Sequence, residues 1–250
     1  MQRLIYFILN NIFMNKIETK ILSFFKKKDK IIFDIGCFRG SFTSYLIKEE
    51  NKIGVNSTFY LFDPNPKTKE YLKKIIKLKN INYFNIAFDD SNTKKKFYLN
   101  NFFESSGSSL DGTIKDDKSW INTRKLFMRF VQPFKKIEDF SEIEVQTQTI
   151  DNFCSINKID SIDILKIDTE GNEVKVLNGA KKLLQKNKIS IIYVEILDTK
   201  KNFLEKEKYI HNFLKEYNFE LKKKYQIKSL SFLSNLQATD NLFINKTLIK

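Results

Sequence analysis

The strongest constraint on this chain is a series of short, unbroken apolar runs, each followed by a segment with helical spacing. Lys30-Ile31-Ile32-Phe33-Asp34-Ile35 stops at Gly36, and Ser41 to Lys48 then places Phe42, Tyr45 and Leu46 on one helical face. Thr58 to Phe62 is a second run, stopped by Asp63-Pro64-Asn65-Pro66, and Tyr71, Leu72, Ile75, Ile76 and Leu78 follow it at helical intervals. Ile81 to Ala87 reads as a third strand. The pattern resumes with a strand at Asp163–Asp168, a helix over Glu170–Lys186, a strand at Ile189–Leu197 and a helix over Phe203–Tyr217. Phe219–Ile227 and Asn241–Ile244 are expected to close the sheet as an antiparallel pair. Runs that are apolar throughout suit strands buried on both faces, and strand–helix alternation means a mostly parallel sheet with helices on each side. Such sheets bind ligands at the carboxyl ends of their strands.

Between Asp89 and about Ser141 the periodicity is lost. This stretch holds Ser105-Ser106-Gly107-Ser108-Ser109, the single Trp120 and two of the four arginines. Lys95–Leu99 and Glu144–Thr149 alternate well enough to form an antiparallel pair around it. A loop-rich insertion at about 100–140 inside one domain spanning 30–250 is expected to be functional, as a cover over the acceptor. Residues 1–29 read as an N-terminal amphipathic helix or extension. Its apolar stretch, Leu4–Leu9 and Ile12–Met14, is too short for a transmembrane span of about 20 residues, and no small-residue cleavage site follows.

Charge does not decide the function. The net charge is +14, but only Arg3, Arg39, Arg124 and Arg129 are arginines and the lysines are dispersed. Proteins that read phosphates or bases lean on the bidentate arginine fork, so no nucleic-acid partner is expected. Cys37 and Cys154 are too few for a disulfide framework or a zinc cluster, and a cytoplasmic location fits them. The acids speak more clearly. Asp34, Asp63, Asp89, Asp168, Glu170 and Glu195 all fall at or near predicted strand ends. An acidic rim on a basic protein suits a ligand that is cationic, rich in hydroxyls or metal-bound. Asp34 to Ser41 has the form D-x-G-x-x-x-G, a strand, a glycine turn and a helix start with Ser41 as a candidate N-cap. It matches neither a dinucleotide fingerprint nor a P-loop. Asp63 is placed to accept both hydroxyls of a ribose, and an Asx turn before Pro64 is the alternative.

Four segments in order resemble the FkbM family of class I S-adenosylmethionine-dependent methyltransferases. Asp34–Gly40 is similar to its D-x-G-A-N-x-G, and Phe62–Pro66 to its F-E-P-x-P. Gln148–Phe153 is similar to its T-x-D-x-[FL]. Leu165-Lys166-Ile167-Asp168-Thr169-Glu170-Gly171-Asn172-Glu173 resembles its L-K-I-D-x-E-G-x-E, continued by Val176–Ala180 and a strand-borne Glu195. The resemblance spans roughly residues 30 to 197. It implies an α/β, Rossmann-like, doubly wound, seven-stranded sheet with the antiparallel pair at its C-terminal end. It also implies S-adenosyl-L-methionine as cofactor, held by Asp34, Gly36, Cys37, Gly40, Ser41, Asp63, Asn65, Ala87 and Asp168. Cys37-Phe38 departs from the family's small residues, Asp63 replaces its Glu, and Ile196-Leu197-Asp198 stands where many members carry a His.

Methyl transfer is an in-line displacement in which the protein mainly positions the acceptor and excludes water. A hydroxyl acceptor needs a base, and Asp168 and Glu195, with Glu170 as partner, are the catalytic candidates. Alternatively Asp168 and Glu170 could hold a divalent cation. The reading that results is O-methylation of a hydroxyl on a sugar, glycan or other small molecule. A catalytically inactive, cofactor-binding homologue acting as a binding module is the second reading, favoured by Cys37-Phe38. Nucleic-acid binding is a third and rests on charge alone.

Overall fold

The computed structural model describes residues 29–78, 80–101, 107–131, 139–227 and 234–249, with residues 124 and 127–131 described by backbone alone. The leading segment expected over residues 1–29 thus lies outside the described residues, except for Asp29. Ten strands occur among the described residues: β1 (Ile31–Ile35), β2 (Thr58–Phe62), β3 (Ile81–Phe84), β4 (Ala87–Phe88), β5 (Thr93–Asn100), β6 (Phe140–Gln148), β7 (Ile162–Ile167), β8 (Ile189–Thr199), β9 (Phe219–Gln226) and β10 (Leu236–Asn245). The helices among them are α1 (Ser41–Ile53), α2 (Thr68–Tyr71), α3 (Thr113–Asp116), α4 (Lys118–Val131), α5 (Ile150–Ile156), α6 (Glu173–Asn178), α7 (Lys181–Gln185) and α8 (Phe203–Glu216).

Seven strands form one sheet in the order β3-β2-β1-β7-β8-β10-β9. The first five run parallel and β10 runs antiparallel to both its neighbours, which is the doubly wound sheet with an antiparallel C-terminal pair. Side chains of a strand alternate between faces, and both faces are buried. Ile32, Ile164, Ile191 and Leu242 pack under Phe42 and Leu46 of α1. Phe33, Leu165, Ile192 and Phe243 pack under α5, α6 and α8 through Phe153, Val176 and Leu214. Each such side chain taken fully out of water contributes about 1.5–3 kcal/mol, which is why the strand runs carry almost no polar residue. No helix among the described residues is long and apolar enough to cross a membrane.

Several expected boundaries move. The strand expected over Ile81–Ala87 ends at Phe84, and Ala87–Phe88 instead starts a second, three-stranded sheet, β4-β6-β5. In that sheet β5 and β6 are the expected antiparallel pair. The helix expected over Glu170–Lys186 is two short helices. Residues 170–172 form a turn, and at Gly179 an added Cβ would lie 2.3 Å from the Asp89 carbonyl oxygen. The final strand begins at Leu236, five residues before the expected start. Within the stretch read as loop-rich, residues 113–116 and 118–131 are helical. Its Trp120 is buried with Ile114 against Leu197, Leu236 and Ala238 of β8 and β10. Ile114 and Trp120 serve this one long-range contact rather than a regular face, so their spacing carried little signal.

Candidate active site

The turns after β1, β2 and β7 at the carboxyl edge are tied together by backbone. Gly36 has φ 74°, and a Cβ on it would lie 1.7 Å from the Asp168 carbonyl oxygen. Only glycine therefore lets the β1 turn lie against the β7 turn. The N–H groups of Gly36 and Cys37 both donate to the Phe62 carbonyl, at 2.9 and 3.1 Å, and Asp168 N–H donates to Ile35 O at 3.1 Å. Asp63 completes the tie. Its Oδ2 accepts from Phe38 N–H and its Oδ1 from Asn65 N–H, each at 2.8 Å. The second of these bonds is the Asx turn that the Pro64 neighbourhood suggested. Burial pushes the Asp63 carboxyl up to about 6, against the pull of these two amides.

This edge fits a nucleoside diol. The four lone-pair sites of the Asp63 carboxylate take two N–H groups and the Thr68 hydroxyl, which leaves one. Beside it the Nδ2 of Asn65, a residue 1% exposed, is buried without a hydrogen-bond partner. A free acceptor and an orphaned donor side by side match paired hydroxyls. The remaining expected cofactor residues separate. Cys37 is buried, and burial first, then Asp63 and Asp34, push its thiol well above the ordinary range. Gly40, with φ 70°, is the N-cap of α1, so Ser41 is the first helical residue and not the expected cap. Ala87 packs its side chain with Phe97, Leu99 and Val145 in the small sheet's core. Phe38 stands in the left-handed region at φ 43°, and its ring meets Tyr71 edge-on at 5.6 Å. Arg39 lies 5.4 Å and 5.0 Å from those two rings.

The other half of the edge is built by the long strands. Asp34, fully buried on β1, accepts from Thr43 Oγ1 at 2.7 Å. Lys166 of β7 stands between Asp34 and Asp168, with its Nζ 3.2 Å from each. Burial alone would lower the Lys166 pKa, and the two carboxylates outweigh it and hold it raised. Register then places the next acids. Lys166 pairs with Tyr193, and Glu195 pairs with Asp240 across β8 and β10. Asp168, Glu195 and Asp240 therefore form a row across three adjacent strands, on the face that carries Asp34 and Lys166. Burial and then Asp168 push both Glu195 and Asp240 upward, Asp240 to about 7.

The Asp168 turn is held from below. Glu170 adopts φ 54°, a strained left-handed conformation for a residue with a side chain. Glu173, fully buried, accepts from Gly171 N–H at 2.7 Å and pairs with Lys206 of α8 at 2.7 Å. Lys206 also donates to Gly171 O at 2.6 Å and Leu197 O at 2.8 Å. The insertion touches the same turn, with Ser109 Oγ donating to Thr169 O at 2.9 Å. Among the described residues no three acid, histidine or cysteine side chains converge in a metal-holding arrangement.

Three residues of this edge were not singled out from sequence. Lys166 sat inside the quoted signature, and a lysine within a buried strand run was the signal. Asp240 lay one residue outside the expected final strand. The alternation Ala238, Asp240, Leu242, Ile244 places it on the inward face. Lys206, in a lysine-rich helix, had no signal at all.

A model of the methyltransferase FkbM domain matches residues 34–221. The curated protein 2-O-methyltransferase NoeI of Sinorhizobium fredii (strain NBRC 101917 / NGR234) is 28% identical over 185 residues, covering 73% of this chain and 70% of that protein. Among solved structures, methyltransferase FkbM from Methylobacillus flagellatus KT aligns with 9% identity and a TM-score of 0.49, over 88% of this chain and 45% of its own. The chain thus spans less than half the length of that protein. N-methyltransferase NodS from Bradyrhizobium japonicum WM9 aligns with 10% identity and a TM-score of 0.46, over 94% and 98%.

Proposed function

This chain belongs to the FkbM methyltransferase family, and from that premise we propose that it transfers the methyl group of S-adenosylmethionine to a hydroxyl of a sugar or glycan. The observation that carries this reading is the row of Asp168, Glu195 and Asp240 beside the Asp63 edge, acceptors for protons and hydroxyls in a chain otherwise rich in lysine. The O-methyltransferase name of the relative NoeI supports the hydroxyl. When bound, S-adenosylmethionine supplies a methyl already activated on a positively charged sulfur.

The residues of the chain then divide the work. Asp63 and Asn65 hold the ribose hydroxyls, and the turn from Gly36 to Gly40 lets the backbone approach the ligand. Asp34 holds Lys166, and Lys166 holds Asp168. Asp168 orients the acceptor hydroxyl, Glu195 takes its proton, and Glu170 fixes the turn that brings them together. Residues 30–250 act as one domain, and the insertion over 100–140 covers the acceptor. The acceptor is a small molecule or glycan rather than a nucleic acid, and the free, buried thiols of Cys37 and Cys154 fit a reducing compartment.

Calorimetric titration with S-adenosylmethionine and S-adenosylhomocysteine tests the first half of this reading. A screen of hydroxylated saccharides for methyl transfer tests the second. Absence of binding by either ligand overturns the proposal. Binding with no transfer to any acceptor favours the binding-module reading instead.

A further inference from the structure

We infer that Glu195 and Asp240 act as one unit that shares a single proton, with Asp240 carrying it while Glu195 receives the proton of the acceptor hydroxyl. The inference rests on the methyltransferase reading and adds Asp240 to its machinery. The two residues are direct partners in the antiparallel ladder of β8 and β10. Side chains so placed have Cβ atoms about 4.5–5.5 Å apart. Two carboxylates at that distance in a half-buried site do not both ionise without a cation between them.

The groups around the pair do not supply one. Lys166 on β7 draws both acids toward ionisation, but its ammonium is held between Asp34 and Asp168, and burial together with Asp168 outweighs it. Asp168 and Glu170, at and after the end of β7, add negative charge. Tyr193 on β8 hydrogen-bonds Asp240. On β9, Tyr225 stands opposite Asp240, and Lys223 lies 5.4 Å from the Tyr225 ring. From α1 comes Phe42, whose ring is 5.8 Å from that of Tyr193. The insertion contributes Trp120 and Ile114 at the next row, over Leu197 and Ala238. A raised pKa on both acids agrees with this arrangement.

The shared proton gives the reaction a charge balance. In the transfer the acceptor O–H bond breaks and its proton goes to Glu195. The acceptor oxygen forms the new bond to the methyl carbon, the sulfur–methyl bond breaks, and its electron pair stays on sulfur as a neutral thioether. The site loses the positive charge of the sulfur as the pair gains a proton, so beside a neutral sulfur the pair holds two protons, and one leaves to solvent when the next positive sulfur binds.

The same balance predicts proton release when a positive sulfur binds without reaction. Calorimetry of the full chain in buffers of different ionisation enthalpy measures it, at pH about 6, where the amino groups of both ligands remain charged. S-adenosylmethionine should release up to one proton more than S-adenosylhomocysteine. The ribose contacts are common to both ligands, so their difference isolates the methyl end. Asp240→Asn, which imitates the protonated carboxyl, should abolish the difference while both ligands still bind, and Glu195→Gln should do the same. Equal proton release for the two ligands in the unmodified protein, or a difference that persists in both variants, overturns the inference. If neither ligand binds, the methyltransferase reading fails instead.

Discussion

The two halves of the carboxyl edge are built by opposite means. At the β1–β2 half, nearly every polar contact joins residues within a few positions of two turns. Asp63 binds Phe38 and Asn65 amides, and Gly36 and Cys37 bind the Phe62 carbonyl. At the β7–β8–β10 half, side chains meet across long stretches of sequence. Lys166 joins Asp34, Lys206 joins Gly171, and Glu195 faces Asp240. The first half is a rigid backbone cradle with one acid of raised pKa. The second is a balance of charges in which one ammonium serves two carboxylates. The first should therefore control ligand affinity, and the second should control stability and chemistry.

The largest expected effect breaks the charge balance. Lys166→Met leaves Asp34 and Asp168 without their cation, at a site where the Lys166 side chain is 12% exposed. Removing one partner of a buried ion pair costs about 3–5 kcal/mol. For a chain of this length that corresponds to a fall in Tm of at least about 6 °C. Thermal unfolding measures it, and the double variant with Asp34→Asn should recover part of the loss. A Lys166→Met protein as stable as the parent would mean that the two halves are not held differently.

Next comes the split between chemistry and affinity. Asp168→Asn keeps the size and hydrogen bonding of the side chain and removes its charge. By loosening the hold on the acceptor hydroxyl it should lower turnover about a hundredfold, while S-adenosylhomocysteine binds within about twofold of the parent affinity. Steady-state kinetics on a saccharide acceptor, together with calorimetry, separates the two quantities. Near-normal turnover would reduce Asp168 to a structural partner of Lys166. The mirror experiment is Asp63→Ala, which should weaken S-adenosylhomocysteine binding by about 1.5–3 kcal/mol. An unchanged affinity would remove Asp63 from the cradle.

The same division explains what the sequence disclosed. Asp34, Gly36 and Asp63 were legible because a glycine turn and an acid at a strand end are local patterns. The parallel sheet was legible because strands buried on both faces must be apolar throughout, as at Ile162–Ile167 apart from its acid and lysine. Asp240 was not, because its partner Glu195 lies 45 residues earlier in the chain and only the β8–β10 register joins them. Lys206, and the part that the signature's Glu173 plays, stayed hidden for a different reason. A buried ion pair that supports a turn leaves the same residue types in the sequence as a solvated helix face. The break at Gly179 was missed because Val174, Leu177, Ala180 and Leu184 keep one helical period through it, and tertiary contact with Asp89, not periodicity, ends α6.

The smallest predicted effect concerns pH and the cradle alone. Burial pushes Asp63 up to about 6 in the free protein. Ribose hydroxyls donate hydrogen bonds and so favour the ionised carboxylate. Below pH 6 the protein must give up a proton before it can accept those bonds, so affinity falls as pH falls through about 6, by at most tenfold per pH unit. Above that point Asp63 is already ionised and affinity is flat with respect to this group. Asp63→Asn has no proton to lose, so the slope should vanish although the affinity is lower throughout. Neutral S-adenosylhomocysteine is the ligand to use, because the positive sulfur of S-adenosylmethionine would also engage Glu195 and Asp240. A slope between pH 5 and 7 that survives Asp63→Asn would assign the titration to the other half of the edge and erase the proposed division between cradle and charge balance.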